Sequence, residues 1–246
     1  MRDPFEVMPR ETAMMFRFLE TIPSLNDFIL IGGTALALHL GHRTSEDLDF
    51  ITTLPRLPRA VLRNVEEMIR RDGHTVVYRD IPASVDDFEK AGMDLHDYSQ
   101  NWLIDESVKV TFFTADEHHK RVLADPNRDD RFRVGSLDEL SALKALVACE
   151  RSKSRDWVDL FILERDHGFG LAQWKGAYDK AGLTSAHFER ALNRICEGAR
   201  LPSDEGFAAL LSNPPSLDAI TSHFRALREA YELSLAKQKL QGPEMG

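Results

Sequence analysis

The sequence predicts an α+β fold, in which a small mixed β-sheet flanked by helices is followed by a helical C-terminal part. Three observations predict it. The first half alternates helix-period apolar patterns with short strand-like runs. Two of those runs are joined by a tight turn, which makes the sheet mixed rather than all parallel. The second half carries helical patterns only. We therefore expect an α/β core over residues 1–125 and a helical domain over residues 126–246 that completes a cleft.

The composition excludes some classes of protein. Of the 246 residues 43% are hydrophobic, which is enough for a sizeable core, and the net charge of −9 disfavours binding of nucleic acid by bulk electrostatics. A local basic patch could still contact RNA. Cys149 and Cys196 have no ligand-like spacing, so we expect buried thiols in a reducing compartment. With no signal peptide and no apolar run near the ~20 residues of a membrane span, we expect a cytoplasmic protein without a membrane partner.

In the first half, apolar spacing separates helices from strands, and prolines and glycines bound them. The segment Phe88–Tyr98 shows no clear pattern. In order, the patterns predict a helix over Pro9–Ile22, a strand over Phe28–Ile31, a helix over Ala35–Leu40, a strand over Asp47–Ile51, a helix over Pro58–Asp72, and strands over His74–Arg79, Trp102–Ile104 and Val108–Phe113.

The second half begins with a polar, turn-rich segment, Asp125–Gly135, which we interpret as a linker. Ser136 followed by Glu139 is a capping-box pattern, and predicts a helix that runs to about Cys149. A basic turn, Arg151–Arg155, then leads into further helices. We expect the first of these to cover Asp156–Glu164.

Chemistry is concentrated in the stretch from Phe28 to Ile51. Gly32, Gly33 and Thr34 lie at a strand-to-helix junction, where the N–H groups of a helix N-terminus can face a phosphate, although such a pair of glycines is more often a plain turn. Asp47 and Asp49 point to the same side of the following strand. Two adjacent carboxylates are costly unless they are solvated or hold a cation, and hard oxygen ligands favour Mg²⁺.

These two features together resemble the signature of the nucleotidyltransferase superfamily, which has the DNA polymerase β-like fold. Gly-Gly-Thr is followed by a spacer of twelve residues and then by Asp-x-Asp on the next strand. The segment GGTALALHLGHRTSEDLDF is similar to the opening motif of the AbiEii/AbiGii family of type IV toxin–antitoxin and abortive-infection toxins. Lys144, followed by Arg155-Asp156-x-x-Asp159, resembles the second motif of that family. The resemblance spans about Phe28 to Leu163.

The resemblance implies an Mg²⁺-dependent nucleotidyltransferase that uses ATP, GTP or CTP. Its acceptor would be RNA, with the 3′ end of tRNA as the expected target, and its role that of a toxin with a separate antitoxin protein. The resemblance assigns nucleotide binding to Gly32, Gly33, Thr34, Arg43 and Lys144, and two Mg²⁺ ions to Asp47 and Asp49. It assigns catalysis to Asp47, Asp49, Lys144 and Asp156, where Asp156 is either a catalytic carboxylate or one that orients the lysine.

Each residue of the second motif, like Arg43, also has a plainer interpretation. Lys144 could be a surface lysine, and Asp156 could be an acidic residue favoured at a helix N-terminus by the helix dipole. Asp159 could form a surface pair with Lys153 or Arg155. Arg43 could be an ordinary turn residue.

The sequence departs from the superfamily pattern at Thr111. Many members have a third carboxylate on the neighbouring central strand, where this chain has a threonine that can act neither as a general base nor as a strong Mg²⁺ ligand. Either another carboxylate replaces it or the enzyme is weak or inactive. The candidates for replacement are Asp156, Asp94, Asp97 and Asp105.

Two other functions stay open at this point. One is a small-molecule nucleotidyltransferase of the aminoglycoside-modifying kind, which the acidic net charge favours. The other is a catalytically weak nucleotide-binding protein, motivated by Thr111. If RNA is the acceptor, its expected contacts are the basic turn Arg151–Arg155 and the arginines of Pro58–Asp72.

Overall fold

A computed structural model describes residues 1–124 and 131–240. The chain forms two compact units, Met1–Leu140 and Ser141–Gly246. The domain boundary predicted at residues 125 and 126 lies outside the described residues and stays a prediction. Among the described helices, none has the length and apolar character that crossing a bilayer requires.

The first unit is an α/β layer in which each helix and strand predicted before residue 125 is present, together with elements that the sequence patterns did not predict. Its helices are α1 (Pro4–Val7), α2 (Arg10–Glu20), α3 (Gly32–Leu40), α4 (Arg59–Arg71), α5 (Pro82–Lys90), α6 (Glu117–Val122) and the start of α7 (Leu137–Ala148). Its strands are β1 (Ile29–Ile31), β2 (Asp47–Thr52), β3 (Val76–Tyr78), β4 (Ser99–Ile104), β5 (Val108–Thr114) and β6 (Arg133–Val134).

Helix α5 precedes and enters the segment Phe88–Tyr98, for which the sequence shows no pattern. The helix buries none of its own residues completely, so no apolar stripe marks it in the sequence. A short 3₁₀ turn over Leu95–Asp97 follows and leads into β4. The sequence signal fails here because the helix lies on the surface of its unit.

Within the described residues the sheet has six strands in the order β3-β4-β5-β2-β1-β6. Strand β2 is parallel to β5 and β1 is parallel to β6, whereas the other neighbours are antiparallel. The mixed sheet is therefore confirmed. Asp105 and Glu106 make the tight turn between β4 and β5 with φ values of 49° and 58°.

Strand β6 corrects one prediction. Arg133 and Val134 belong to the segment predicted as a linker, but they pair in parallel with Ile29 and Leu30 of β1. A strand of two residues is too short to leave a periodic pattern, and its pairing comes from the open edge of β1 rather than from its own sequence. Residues 125–130 of that predicted linker lie outside the described part of the chain.

One face of the sheet is buried and the other is half-exposed, and this difference positions the site. Phe50 stacks on Phe112 with ring centroids 5.1 Å apart, and Trp102 meets Phe112 edge-on at 4.9 Å. These rings fill the buried face. Asp47 and Asp49 alternate with the buried Leu48 and Phe50, so their carboxylates emerge on the opposite face.

The second unit is helical, as predicted. After the end of α7 come α8 (Ser154–His167), α9 (Leu171–Ala181), α10 (Ser185–Glu197) and α11 (Leu217–Leu240), with a 3₁₀ turn over Ala208–Leu210. Trp157, Trp174 and Tyr178 are fully buried, and the Tyr178 hydroxyl donates to the carbonyl of Ala145 at 2.6 Å. The two cysteines are buried, and burial raises the pKa of both thiols.

Candidate active site

The candidate site of the first unit starts at the junction of β1 and α3. Gly32 has a φ of +75°, a conformation that disfavours any other residue. A Cβ atom on Gly32 would lie only 2.7 Å from Oδ2 of Asp49. The glycine therefore lets the Asp49 carboxylate lie directly against the first turn of the helix.

The N-terminus of α3 concentrates positive potential at the same place. Ile31 occupies the N-cap position, and its side chain has no oxygen to accept hydrogen bonds from the first N–H groups of the helix. The guanidinium of Arg43 lies over Gly33, where a Cβ atom would be 3.0 Å from the Arg43 Cζ. Arg43 is buried and donates from Nη1 to the carbonyl of Thr44 at 2.9 Å. Helix dipole and guanidinium together favour an anion.

Thr34 has a different environment from the one that its motif suggests. Its side chain is buried, donates to the carbonyl of Asp47, and lies 2.9 Å from Oγ of Ser45. The hydroxyl thus connects α3 to the start of β2. Only the backbone N–H of Thr34, in the first turn of α3, remains suited to a phosphate.

Asp47 and Asp49 could supply carboxylate oxygens to a cation. Both are half-exposed on one face of β2, and Lys109 on β5 lies 3.8 Å from Oδ1 of Asp47 with its side chain 67% exposed. Carboxylate oxygens that remain accessible are the ligands that Mg²⁺ prefers, because it keeps several waters. The residues present therefore fit a divalent ion.

The strand register confirms Thr111 as the neighbour of Asp49 on β5. Thr111 in turn pairs with Asn101 of β4, and their side-chain oxygens are 3.4 Å apart. Sequence reasoning missed Asp80, whose Oδ1 lies 3.4 Å from Nδ2 of Asn101. No local signal marks Asp80, because only the pairing of β4 with β3 brings it to this row.

The three first-unit carboxylates considered as replacements for the missing one are engaged at the two ends of β4. Asp94 pairs with Arg59 at 2.8 Å, and Asp97 pairs with Arg56 at 3.0 Å, both before the strand begins. Asp105, after the strand, accepts from the Thr75 N–H at 2.8 Å and lies 2.5 Å from Nδ1 of His74.

In the second unit, the residues of the second motif form a buried charged cluster. The ammonium of Lys144 lies 2.6 Å from Oδ1 of Asp156 and 2.8 Å from Oδ2 of Asp159. Arg151 Nε is 2.9 Å from Oδ2 of Asp156. The two aspartate side chains are at most 2% exposed, whereas that of Arg151 is 48% exposed.

This cluster corrects two of the plainer interpretations. Lys144 is not a surface lysine, and Asp159 does not form a surface pair with Lys153 or Arg155, because it is buried against Lys144. Burial opposes ionisation of Asp156, but the charges of Lys144 and Arg151 outweigh it and hold the pKa of that carboxyl below its ordinary value. Sequence reasoning assigned Asp159 no role in the candidate site, whereas the structure pairs it directly with Lys144.

The arginines expected to contact RNA mostly have carboxylate partners within the chain. On α4, Arg59 pairs with Asp94, Arg70 with Glu66 and Arg71 with Glu67. In the basic turn, Arg151 pairs with Asp156 and Arg155 with Glu205. These pairs offset part of the positive charge that the sequence alone suggests.

Comparisons with known proteins found a matching family and a similar sequence. A family model described as the nucleotidyl transferase AbiEii toxin of type IV toxin–antitoxin systems matches residues 13–213. A protein of Aquifex aeolicus (strain VF5), described as uncharacterized, is 30% identical over 163 residues, which are 63% of this chain and 68% of that protein.

Two solved structures are similar over most of their length. A protein from H. pylori described as a nucleotidyltransferase has a TM-score of 0.48 and 16% identity, with 93% of this chain and 98% of that chain covered. MenT4, a nucleotidyltransferase toxin from Mycobacterium tuberculosis H37Rv, has a TM-score of 0.48 and 15% identity, with 92% and 86% covered.

Proposed function

This chain belongs to the nucleotidyl transferase AbiEii toxin family of type IV toxin–antitoxin systems, and we propose that it transfers a nucleotide from a nucleoside triphosphate to the 3′ end of an RNA, with tRNA as the expected acceptor. Because it belongs to this family, the chain is a nucleotidyltransferase. We further propose that it uses a nucleoside triphosphate and a divalent metal, and that its acceptor is RNA. One observation carries it. The Asp49 carboxylate lies against Gly32 at the N-terminus of α3, so the proposed metal ligand is adjacent to the proposed phosphate-binding turn.

The triphosphate would bind through groups of the first unit. The N–H groups of Gly32, Gly33 and Thr34 begin α3 and can donate to phosphate oxygens. Arg43, whose guanidinium lies over Gly33, adds a cation at the same turn. The Thr34 hydroxyl supports the site indirectly, because it holds the backbone of Asp47.

Asp47 and Asp49 would hold Mg²⁺, with two ions expected from the superfamily. When bound, the metal supplies charge neutralisation for the triphosphate and for the attacking and leaving oxygens. The two aspartates fix the position of that charge on a rigid central strand, since β2 is hydrogen-bonded to β1 on one side and β5 on the other.

The proposed role of Lys144 is contact with phosphate groups, as the family resemblance implies. Its surroundings support a charged and oriented ammonium, because Asp156 and Asp159 both lie within 2.8 Å of it. Asp156 and Asp159 would then be positioning residues for the lysine. As a type IV toxin, the protein would arrest growth until a separate antitoxin counteracts it.

A transfer assay tests the proposal. The protein is incubated with each of the four labelled triphosphates, Mg²⁺ and total tRNA, and label in RNA is measured. We expect incorporation from at least one triphosphate, abolished by EDTA and lowered at least ~100-fold by Asp47→Asn or Asp49→Asn, because charge stabilisation in such sites is worth several kcal/mol.

Asp72→Asn is the matched control, since Asp72 is exposed in the same unit and pairs only loosely with His74 at 3.5 Å. Its activity should equal that of the parent protein. Absence of labelled RNA with all four triphosphates would contradict the RNA acceptor. Label on an aminoglycoside instead would establish the small-molecule alternative.

A further inference from the structure

A cavity of about 770 Å³ lies within the first unit and, among the described residues, shares only Asn101 with the candidate active site above. Most of its lining comes from β4, β5, α5, α6 and the residues just before β4, and it includes Asn101 and Phe113. In the register of β4 and β5, Asn101 pairs with Thr111 and Ser99 pairs with Phe113. Asn101 and Phe113 therefore belong to the same half-exposed sheet face as Asp49.

The order of the strands places this cavity on the β5 side of β2, the strand that carries Asp47 and Asp49. Asp49, Thr111 and Asn101 are register neighbours on three consecutive strands, so the Cα atoms of Asp49 and Asn101 are about 10 Å apart. The glycine turn after β1 lies on the opposite side of β2. In-line transfer places the attacking and leaving oxygens on opposite sides of the phosphorus atom. If the phosphates of the triphosphate bind at the glycine turn, the attacking hydroxyl of the acceptor would approach from the opposite side, where the cavity lies.

The lining has the chemistry of a nucleobase site. Phe88, Tyr98 and Phe113 are half-buried, unlike the fully buried core rings, and Phe88 and Tyr98 are 5.6 Å apart at 48°. The Arg56 guanidinium lies 6.0 Å from the Tyr98 ring centre. Asn101 offers an amide for a base edge. Aromatic faces combined with a few hydrogen-bonding groups are how proteins bind unpaired bases at RNA ends.

The charged groups that line the cavity are all hydrogen-bonded or paired within the chain. Asp116 caps α6, accepting hydrogen bonds from the N–H groups of His118 and His119 at 2.9 and 2.8 Å. Glu117 is paired with Lys120 at 2.8 Å. Both acidic groups of the lining therefore have partners in the chain, and the ammonium of Lys120 is held by Glu117 beside the cavity.

We propose that this cavity binds the unpaired terminal base of the acceptor RNA strand, so that its ribose hydroxyl is presented towards Asp49. The inference rests on the proposed function, and deepens it by naming where the acceptor lies and what part of it is held. Phe88 and Tyr98 would stack on the base, and Asn101 would hydrogen-bond to its edge.

The test uses an RNA hairpin with a single-stranded 3′ end and 2-aminopurine as its terminal base. Binding to the parent protein should quench 2-aminopurine fluorescence, because the base stacks on an aromatic ring. Phe88→Ala should remove the quenching and raise the KM for RNA ~10-fold, with the KM for the triphosphate unchanged. Helix α5 buries none of its residues completely, so this variant should fold, and Tyr98→Ala provides a second variant with the same expectation.

Phe5→Ala is the control, because Phe5 is 52% exposed on α1 and does not line the cavity. Parent-like quenching in both cavity variants, or equal rises in both KM values, would overturn the assignment. Quenching that Phe88→Ala removes, without any transfer to RNA, would uphold the cavity and refute the transfer reaction. If RNA is labelled equally well by both variants and by the parent protein, the transfer reaction would be upheld and the cavity assignment refuted.

Discussion

At the level of single residues, the most distinctive feature of this protein is a group of buried charged side chains. Lys144, Asp156 and Asp159 form one positive and two negative groups that are almost fully removed from water. Burying a charge is costly, and the cost is offset only while each ion keeps its partners. The stability of the second unit therefore depends on this cluster, whether or not the cluster takes part in catalysis.

We predict that Lys144→Met destabilises the protein by about 3–5 kcal/mol, because it leaves Asp156 and Asp159 buried without the ammonium. The triple variant that adds Asp156→Asn and Asp159→Asn should recover part of that loss. Urea denaturation measures both. The control is Lys175→Met, which breaks a surface pair with Asp179 and should cost less than ~1 kcal/mol. A triple variant less stable than Lys144→Met would contradict the prediction.

Two places where secondary-structure elements begin, the β1–α3 junction and the start of α7, are held by specific close contacts. At the first, Gly32 permits the close approach of Asp49 to a helix N-terminus. At the second, Glu139 accepts hydrogen bonds from the N–H groups of Ser136 and Ala124 at 2.8 and 2.7 Å, and pairs with Arg133 of β6. The Ser136 hydroxyl accepts from the Glu139 N–H at 3.3 Å, which confirms the predicted capping box.

We predict that Gly32→Ala abolishes nucleotide transfer, because the added Cβ would lie 2.7 Å from Oδ2 of Asp49 and must displace it. The left-handed backbone adds about 1–2 kcal/mol of destabilisation. Gly168→Ala separates the two effects. Gly168 has the same φ of +75°, but among the described residues nothing lies within 4 Å of its added Cβ. That variant should lose similar stability and retain activity. Loss of transfer in both would attribute the effect to backbone strain.

We predict that Glu139→Gln destabilises the protein at pH 7 by about 2–3 kcal/mol. Burial opposes ionisation of Glu139, but hydrogen bonds from Arg133 and two backbone N–H groups lower its pKa from 4.5 to about 2. A lowered folded-state pKa stabilises the protein fully above pH 4.5, and this contribution is lost as the pH falls towards 2. The difference between parent and variant in urea denaturation should shrink over that range. Glu67→Gln, in a surface pair, should show no such pH dependence. A constant difference would contradict the assignment.

For the whole molecule, the family match over residues 13–213 extends across both compact units. A ligand that binds the native state stabilises it by mass action, and at 100 times its Kd the gain is about 2.7 kcal/mol. This linkage gives a readout of nucleotide binding that does not depend on transfer. It therefore tests the phosphate and metal site separately from the acceptor.

We predict that a nucleoside triphosphate with Mg²⁺ raises Tm by several degrees, and that the triphosphate with EDTA does so much less. Differential scanning calorimetry measures the shift. Asp49→Asn should remove the Mg²⁺-dependent part, because it takes away one of the two carboxylates that fit the ion, whereas Asp72→Asn should retain it. A shift that is identical with and without Mg²⁺ would contradict a metal held by Asp47 and Asp49.

The sequence by itself determined the local elements and the first half of the candidate site. Helical and strand periodicities are properties of a few neighbouring residues, so β1, α3 and β2 could be predicted within a few residues of their ends. The glycine turn and the Asp-x-Asp lie on those same three consecutive elements. Their adjacency follows from chain order and alternation alone, as does the position of Asp47 and Asp49 on one face.

Only the tertiary structure decided what depends on distant pairing. The register of β4 with β5 places Asn101 beside Thr111, the open edge of β1 recruits β6, and helix packing buries Asp159 against Lys144. The cavity has the same origin, since its aromatic lining comes from α5, β5 and the segment before β4. Such contacts join residues whose own sequence neighbourhoods carry no sign of one another, so no local pattern could have predicted them.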